Sequence, residues 1–536
     1  MPQGSASAAA ARARSFGVRG LLAVTVLVAA SACRDKTPPP PAAPPLAPRT
    51  PTTALQGLTG PQRDSLHHLG EGDEFMPVTW IRSLRSVATG KLFLEDIERF
   101  GMLPDPDDSL GFPIGLSATK PSDVGARSNL MVGFSCAACH TAQLVLNGKP
   151  MIIEGGSALS DPQKFERELV ASIMALLKNP KEAVAFVKRV NAQPEWLRER
   201  QPVSMAELPK LIASYRARFD SFRLIEDLLK KEPRTDPGYG RIDAFNTARN
   251  MLYPKQGIAL TAPVRHPKIW QFDRHTWLHW DGNTNSVMER NIGQSIAAGA
   301  IYVPSTGATT LLPQNLSALQ VLASLIQPPK WPAELAGSID EKLAAAGKPI
   351  YVANCERCHA TPDKAERDTL IPYREIGTDP QRGITAGTKL FNQGYAVVAG
   401  RELKKAKLAA YKAHGITDSM AHAIEGARYE SKWRVTGAYA ARPLTSIWAT
   451  APYFHNGSVP SLHDVLLPPA QRPVTFVLGA QEFDPVKVGI TGTPPANVPP
   501  FTFDTRKVGN SNAGHLFGTT LSDVQRRQLL EYLKTL

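Results

Sequence analysis

"GFSCAACHTAQLVLNGKPMIIEGG", residues 133–156, opens with two cysteines and a histidine set as Cys136-Ala-Ala-Cys139-His140. The spacing C-x-x-C-H is that of covalent c-type haem attachment. Two thiols one helical turn apart can each form a thioether with a haem vinyl group, and the adjacent histidine turns its imidazole onto the iron as proximal ligand. The pattern returns in "NCERCHATP" as Cys355-Glu-Arg-Cys358-His359. With five cysteines and twelve histidines in 536 residues, chance supplies one such motif in about one chain per thousand, so a second by accident is dismissed. A thioredoxin-like dithiol has no need of the histidine. A zinc site more usually draws four ligands from close spacing, whereas Cys136 and Cys355 lie 219 residues apart. Two covalently bound haem c groups are expected, with His140 and His359 on their irons.

The motifs use four of the five cysteines, which leaves no intramolecular disulfide framework. The fifth, Cys33, follows Arg12, Arg14, Arg19 and an apolar run from Leu21 to Ala30. A basic region, a short apolar core and small residues read as an export signal over residues 1–32. About ten apolar residues are too few to span a bilayer core of roughly 30 Å. Ala30-Ser31-Ala32-Cys33 reads either as a lipobox, with Cys33 the lipidated N-terminus, or as an ordinary A-x-A cleavage site. The Pro-rich stretch from Pro38, within a tether at 33–56, suits a chain held off a membrane. The expected location is the cell envelope, as a periplasmic or surface lipoprotein attached only through its lipid, with secretion as the alternative. The formal charge of +13 falls to +10 without residues 1–32, which hold three arginines and no acid. Two haems bring about four propionates, so the holoprotein is only moderately basic. A nucleic-acid binder is not expected, and an acidic redox partner is favoured weakly.

About 480 residues follow the tether, enough for two or three domains. Asn147-Gly148 between apolar runs signals a hairpin. "SDPQKFERELVASIMALLKNP" reads as a helix capped by Ser160 or Asp161, with Phe165, Leu169 and Ile173 on one face and Pro180 as its stop. A longer helical stretch is expected over 207–231. Gly347, Ile350 and Tyr351 lead into the second motif. The terminal "LSDVQRRQLLEYLKTL" carries a capping box at Ser522 and Gln525 and an apolar stripe at Val524, Leu529, Leu533 and Leu536. "NLSALQVLASLIQPP" is a similar closing element near Pro328. The expected fold is mainly α: two cytochrome c-like haem domains with enlarged loops and a few short β-hairpins, the first at 57–332 and the second at 333–536.

Residues 448–469, "WATAPYFHNGSVPSLHDVLLPP", resemble a segment of the bacterial dihaem cytochrome c peroxidases and the related methylamine-utilisation dihaem enzymes. More narrowly, the chain is similar to the dihaem rubber oxygenases, through "RFGMLPDPDDSLGFPIGLS" (99–117), residues 133–156, "HPKIWQFDRHTWLHWDGNTNSVMERNIGQ" (266–294), "QEFDPVKVGI" (481–490) and "GNSNAGHLFGTTLSD" (509–523). These stretches span nearly all the chain after the tether, in order. The resemblance implies that His140 serves a first haem with an open distal side and His359 a second haem, closed by His515. It implies a tryptophan between the haems, Trp280 first and Trp277 as the alternative. Trp280-Asp281-Gly282-Asn283 departs from the His-Asp-Gly-Arg of the peroxidases. Glu289 and Gln294 are candidate acid/base groups, and Arg290-Asn291 would orient a propionate. The implied activity is dioxygen-dependent cleavage of a carbon–carbon double bond in an apolar alkene. The alternatives are peroxide reduction with electrons from a small redox protein, and plain electron transfer with both irons capped. A calcium ion is a further cofactor this reading admits.

Overall fold

The computed structural model describes residues 52–53, 56–122, 130–216, 234–360 and 369–536. The export segment, Cys33 and nearly all of the 33–56 tether lie outside them, as does the expected helix beyond residue 216; residues 208–216 are helical. Helix covers 41 % and strand 14 % of the structure, a mainly helical balance with small sheets only.

The haem-motif stretch folds as its residues dictate. Cys136 heads a single helical turn, Ala137–His140, which runs directly into the antiparallel pair Thr141–Leu146 and Lys149–Glu154. Asn147 (φ 49°) and Gly148 (φ 75°) make the turn, the left-handed pair that a two-residue hairpin requires. The sheet then recruits distant chain: Thr52–Thr53 pairs with one edge, and Glu482–Asp484 lies parallel to Thr141–Leu146 on the other, with Phe483 opposite Leu146. The C-terminal third of the chain is thereby woven into the sheet that carries the first motif.

The helix Pro162–Ala175 is capped by Asp161, whose carboxylate accepts from Lys164 N, and it buries Phe165, Leu169 and Ile173. Pro180 does more than stop it. It is the first residue of a second helix, Pro180–Asn191, capped by Asn179, because proline at the first helical position lacks only an N–H that would have no partner. Around the second motif, Glu341–Asn354 crosses the terminal helix Asp523–Lys534. Gly347 makes the crossing: a Cβ there would lie 2.0 Å from the Gln528 carbonyl oxygen. The expected capping box forms at Ser522 and Gln525. Leu529, Leu530 and Leu533 face the core, while Val524 is 53 % exposed, so the inward stripe runs through Leu530 and not through Val524. No helix among the described residues is long and apolar enough to cross a membrane.

Candidate functional site

Both motifs open onto one cavity of about 410 Å³, lined by Cys136, Cys139, His140, Cys355, Cys358, His359 and His515. All four cysteines are free of disulfides. His140 Nδ1 hydrogen-bonds the Pro267 carbonyl at 2.9 Å and His359 Nδ1 the Arg442 carbonyl at 2.8 Å. In each ring the Nδ1–H is thus spent on backbone, which leaves Nε2 as the bare nitrogen a metal takes. Burial pushes both imidazoles below their ordinary range, so each is the neutral ring that ligation needs.

The two sites differ opposite these histidines. The His515 ring centre lies 6.3 Å from that of His359. Two imidazoles on opposite sides of one ion, with bonds of about 2 Å, have ring centres about 6 Å apart. Burial, with His359 beside it, pushes His515 down to about 3, and its Nδ1 has no hydrogen-bond partner. A specific loop presents it. Gly514 (φ +72°) packs so tightly on Gly377 that a Cβ would meet the Gly377 carbonyl carbon at 2.1 Å. His515 N donates to Ile376 O at 2.7 Å, and the Arg472 guanidinium donates to the carbonyls of Gly514 (2.8 Å) and His515 (3.1 Å). Among the described residues, no such ring pair includes His140; His266, His275, His279 and His455 also line the cavity, and no methionine does.

The charge of the lining is one-sided. Arg265, Lys268, Arg290, Arg382 and Arg442 line the cavity, and no aspartate or glutamate among the described residues does. Arg382 has Asp281 at 3.3 Å. Arg265 and Lys268 are buried deeply enough to be pushed down, to about 10 and about 7. Buried cations without anions, as Arg265 and Lys268 are here, are costly, and the propionates of two haems would supply about four carboxylates. The neutral imidazoles, free thiols and surplus of cations therefore fit two haem c groups. The spacing also links the two proximal sides: Lys268, next to Pro267, donates to Pro443 O at 3.1 Å, next to Arg442.

Of the three clustered tryptophans, Trp280 alone lines the cavity, with the Arg265 guanidinium 5.0 Å from its ring centre. Trp277 lies under Arg434 at 3.4 Å, and Trp270 is buried with its Nε1 on Thr445 O. Arg290, Asn291 and Gln294, from the helix Val287–Ala297, face the cavity. Glu289 does not. Its carboxylate is fully buried, 3.0 Å from Lys407 Nζ, and it accepts from Trp433 Nε1 at 2.7 Å. Trp433 does line the cavity, so Glu289 touches it only at one remove. Sequence reasoning passed over Arg265, Lys268, Arg382, Arg442 and Trp433. Only Lys268 carried a signal, an isolated cation among the apolar residues of "HPKIW".

Residues 438–477 match the model of RoxA-like, cytochrome c-like domains. Across 90 % of its length the chain is 29 % identical to the uncharacterized protein y4iJ of Sinorhizobium fredii, covering 92 % of that protein. It is also 29 % identical, over 50 % of its length, to the uncharacterized protein y4iM of the same organism, covering 63 % of it. The matched segment contains Arg442, whose carbonyl holds His359, and His455 of the cavity wall. The chain is thus similar at a coarse level to the RoxA-like family, and the domain it shares supports haem c and a redox role of the cytochrome c type.

Proposed function

We propose that the protein is an exported dihaem c-type oxidoreductase of the rubber-oxygenase kind, its first centre reactive and its second an electron store. The observation that carries this reading is the asymmetry of the two sites: His359 is answered by His515 at 6.3 Å, and among the described residues no comparable ring pair includes His140, although His266, His275, His279 and His455 also line the cavity. The group held by Cys136, Cys139 and His140 would supply dioxygen chemistry that splits a carbon–carbon double bond into two carbonyls. The chain supplies the surroundings. Phe245, Ala248 and Leu252 recur along one face of the helix Ala244–Leu252 and line the cavity, an apolar wall suited to an alkene. Arg290 stands beside that wall, and Pro267 O holds the His140 ring in one orientation. Trp280 is the residue through which electrons would pass between centres.

The peroxidase alternative needs an acid/base group over the iron; the cavity shared by the two motifs has no carboxylate in its described lining, and Glu71 and Glu166 border only a small adjoining pocket with Cys136, Cys139 and His140. Glu289, the candidate for that part, is held by Lys407 and Trp433 instead. Its role in the proposal is to position Trp433. Attachment to the envelope through Cys33, and supply of electrons by a small acidic redox protein, complete the proposal.

The test is the carbon monoxide difference spectrum of the reduced protein, normalised to haem. Binding at one of two haems is expected, followed by oxygen uptake with polyisoprene-like alkenes that exceeds peroxide turnover. Binding at neither haem would sink the oxygenase reading and leave electron transfer. A second outcome follows from the His515 loop: Gly514→Ala forces a Cβ into Gly377. It should convert part of the second haem from low to high spin, visible in the absorption spectrum, while the first haem is unchanged.

A further inference from the structure

We infer that His67, His68 and Asp105 form a binding site for one divalent first-row transition ion, with zinc the simplest occupant. The two histidines end the helix Gly60–His68, and Asp105 comes from the turn that follows Pro104. Asp105 Oδ2 lies 3.2 Å from His68 Nε2 and 3.6 Å from His67 Nδ1, and the three donor atoms fall within 4.8 Å of one another. Ligands on a tetrahedral ion with bonds of about 2.0–2.1 Å stand about 3.4 Å apart. The two carboxylate–imidazole spacings bracket that edge.

The outer contacts set the donors. His67 Nε2 is 3.0 Å from Glu154 Oε1, His68 Nδ1 is 2.8 Å from Leu116 O, and Asp105 Oδ1 accepts from Asp107 N at 3.1 Å. Each imidazole therefore donates through its far nitrogen to an acceptor, the arrangement that orients metal-bound histidines. The near nitrogen of each ring faces Asp105 Oδ2; without an ion, His67 meets it as a protonated donor beside Asp105 and Glu154, and an ion that replaces this proton takes the lone pair it leaves. Two lone pairs converge on a carboxylate oxygen only if protons or a cation lie between them. One divalent ion satisfies all three with both rings neutral. Two nitrogens and one oxygen select a transition ion over calcium or magnesium, which take oxygen. His68 and Asp105 retain 15 % and 16 % exposure, so a fourth position opens to water.

The consequence is structural. The His67 carbonyl accepts from Gly115 N and from Ser135 Oγ, and Ser135 immediately precedes Cys136. An ion at this place fastens the helix end to the platform of the first motif. The inference does not depend on the reaction proposed above.

The experiment uses untagged holoprotein. Elemental analysis, set against haem by pyridine haemochrome, should show one non-haem transition ion per chain, or else zinc added to chelator-treated protein should bind with 1:1 stoichiometry. His68→Gln and Asp105→Asn should each weaken zinc binding at least 100-fold with haem content and absorption unchanged. Crystals of the wild type soaked in zinc should give an anomalous peak bonded to His67 Nδ1, His68 Nε2 and Asp105 Oδ2. That reading is independent of whether the variants fold. No saturable zinc binding by the wild type, equal binding in all three proteins, or a peak elsewhere overturns the inference.

Discussion

Replacing His515 by alanine should raise carbon monoxide binding by the reduced protein from one molecule per chain to two. His359 and His515 stand with ring centres 6.3 Å apart, and burial keeps both neutral. Each is pinned by backbone: His359 through Arg442 O, and the His515 loop through Ile376 O and Arg472. A pair held from both sides would close a haem iron between them to exogenous ligands, and removing one imidazole would open it. The comparison that isolates this effect is His279→Ala. His279 also lines the cavity, with its Nδ1 2.7 Å from Asn283 Oδ1, and its loss should leave the count at one. An unchanged count in His515→Ala would mean that another group closes the second centre. A rise in His279→Ala would mean that the first centre is closed as well, and the proposed reactive site would go with it.

What could be read beforehand was what local chemistry encodes. The Asn147-Gly148 turn, the Asp161 cap and the Ser522–Gln525 box are each decided within four residues, and each is present. The double role of Pro180 was misread because a proline that ends one helix is also a good first residue for the next. Val524 was placed inward on spacing alone, although Leu530 fills that direction once the terminal helix crosses at Gly347. The strand Glu482–Asp484 joins a sheet more than three hundred residues earlier in the chain, and such pairing leaves no mark on local periodicity. The site divides in the same way. Both C-x-x-C-H motifs stand out in the sequence because covalent haem attachment, where it occurs, fixes such spacing. The cations at 265, 382 and 442 were not legible, since each is an ordinary residue in its own segment and only topology gathers them with Lys268 and Arg290 around one cavity. Glu289 has the right chemistry for an acid/base group, yet Lys407 and Trp433, remote in sequence, occupy its carboxylate.

That carboxylate leads to the largest expected loss of stability, in Lys407→Met. The Lys407 ammonium is 1 % exposed, 3.0 Å from Glu289 and 3.2 Å from Glu425, whose side chains are 0 % and 2 % exposed. Removing one member of a buried ion pair leaves uncompensated charge and costs about 3–5 kcal/mol; here two carboxylates lose the same partner. The pH dependence has a definite sign. Burial already raises the Glu425 carboxyl, and Lys407 opposes that rise, so without the ammonium it rises further. A carboxyl raised in the folded state keeps its full contribution below its unfolded value of about 4.3 and loses it as pH climbs through the folded value. The deficit of Lys407→Met should therefore be smallest near pH 4 and grow as pH rises, as measured by urea unfolding of the holoprotein between pH 4 and pH 7. Adding Glu289→Gln and Glu425→Gln should recover most of the loss at neutral pH, because neutral amides leave no buried charge. Since Glu289 also accepts from Trp433 Nε1, and Trp433 lines the cavity, the single variant should shift the haem absorption where the triple variant shifts it less. A deficit equal at pH 4 and pH 7 would mean that Lys407 acts through packing of its alkyl stem, and Glu289 would then have no electrostatic part in holding Trp433 against the cavity.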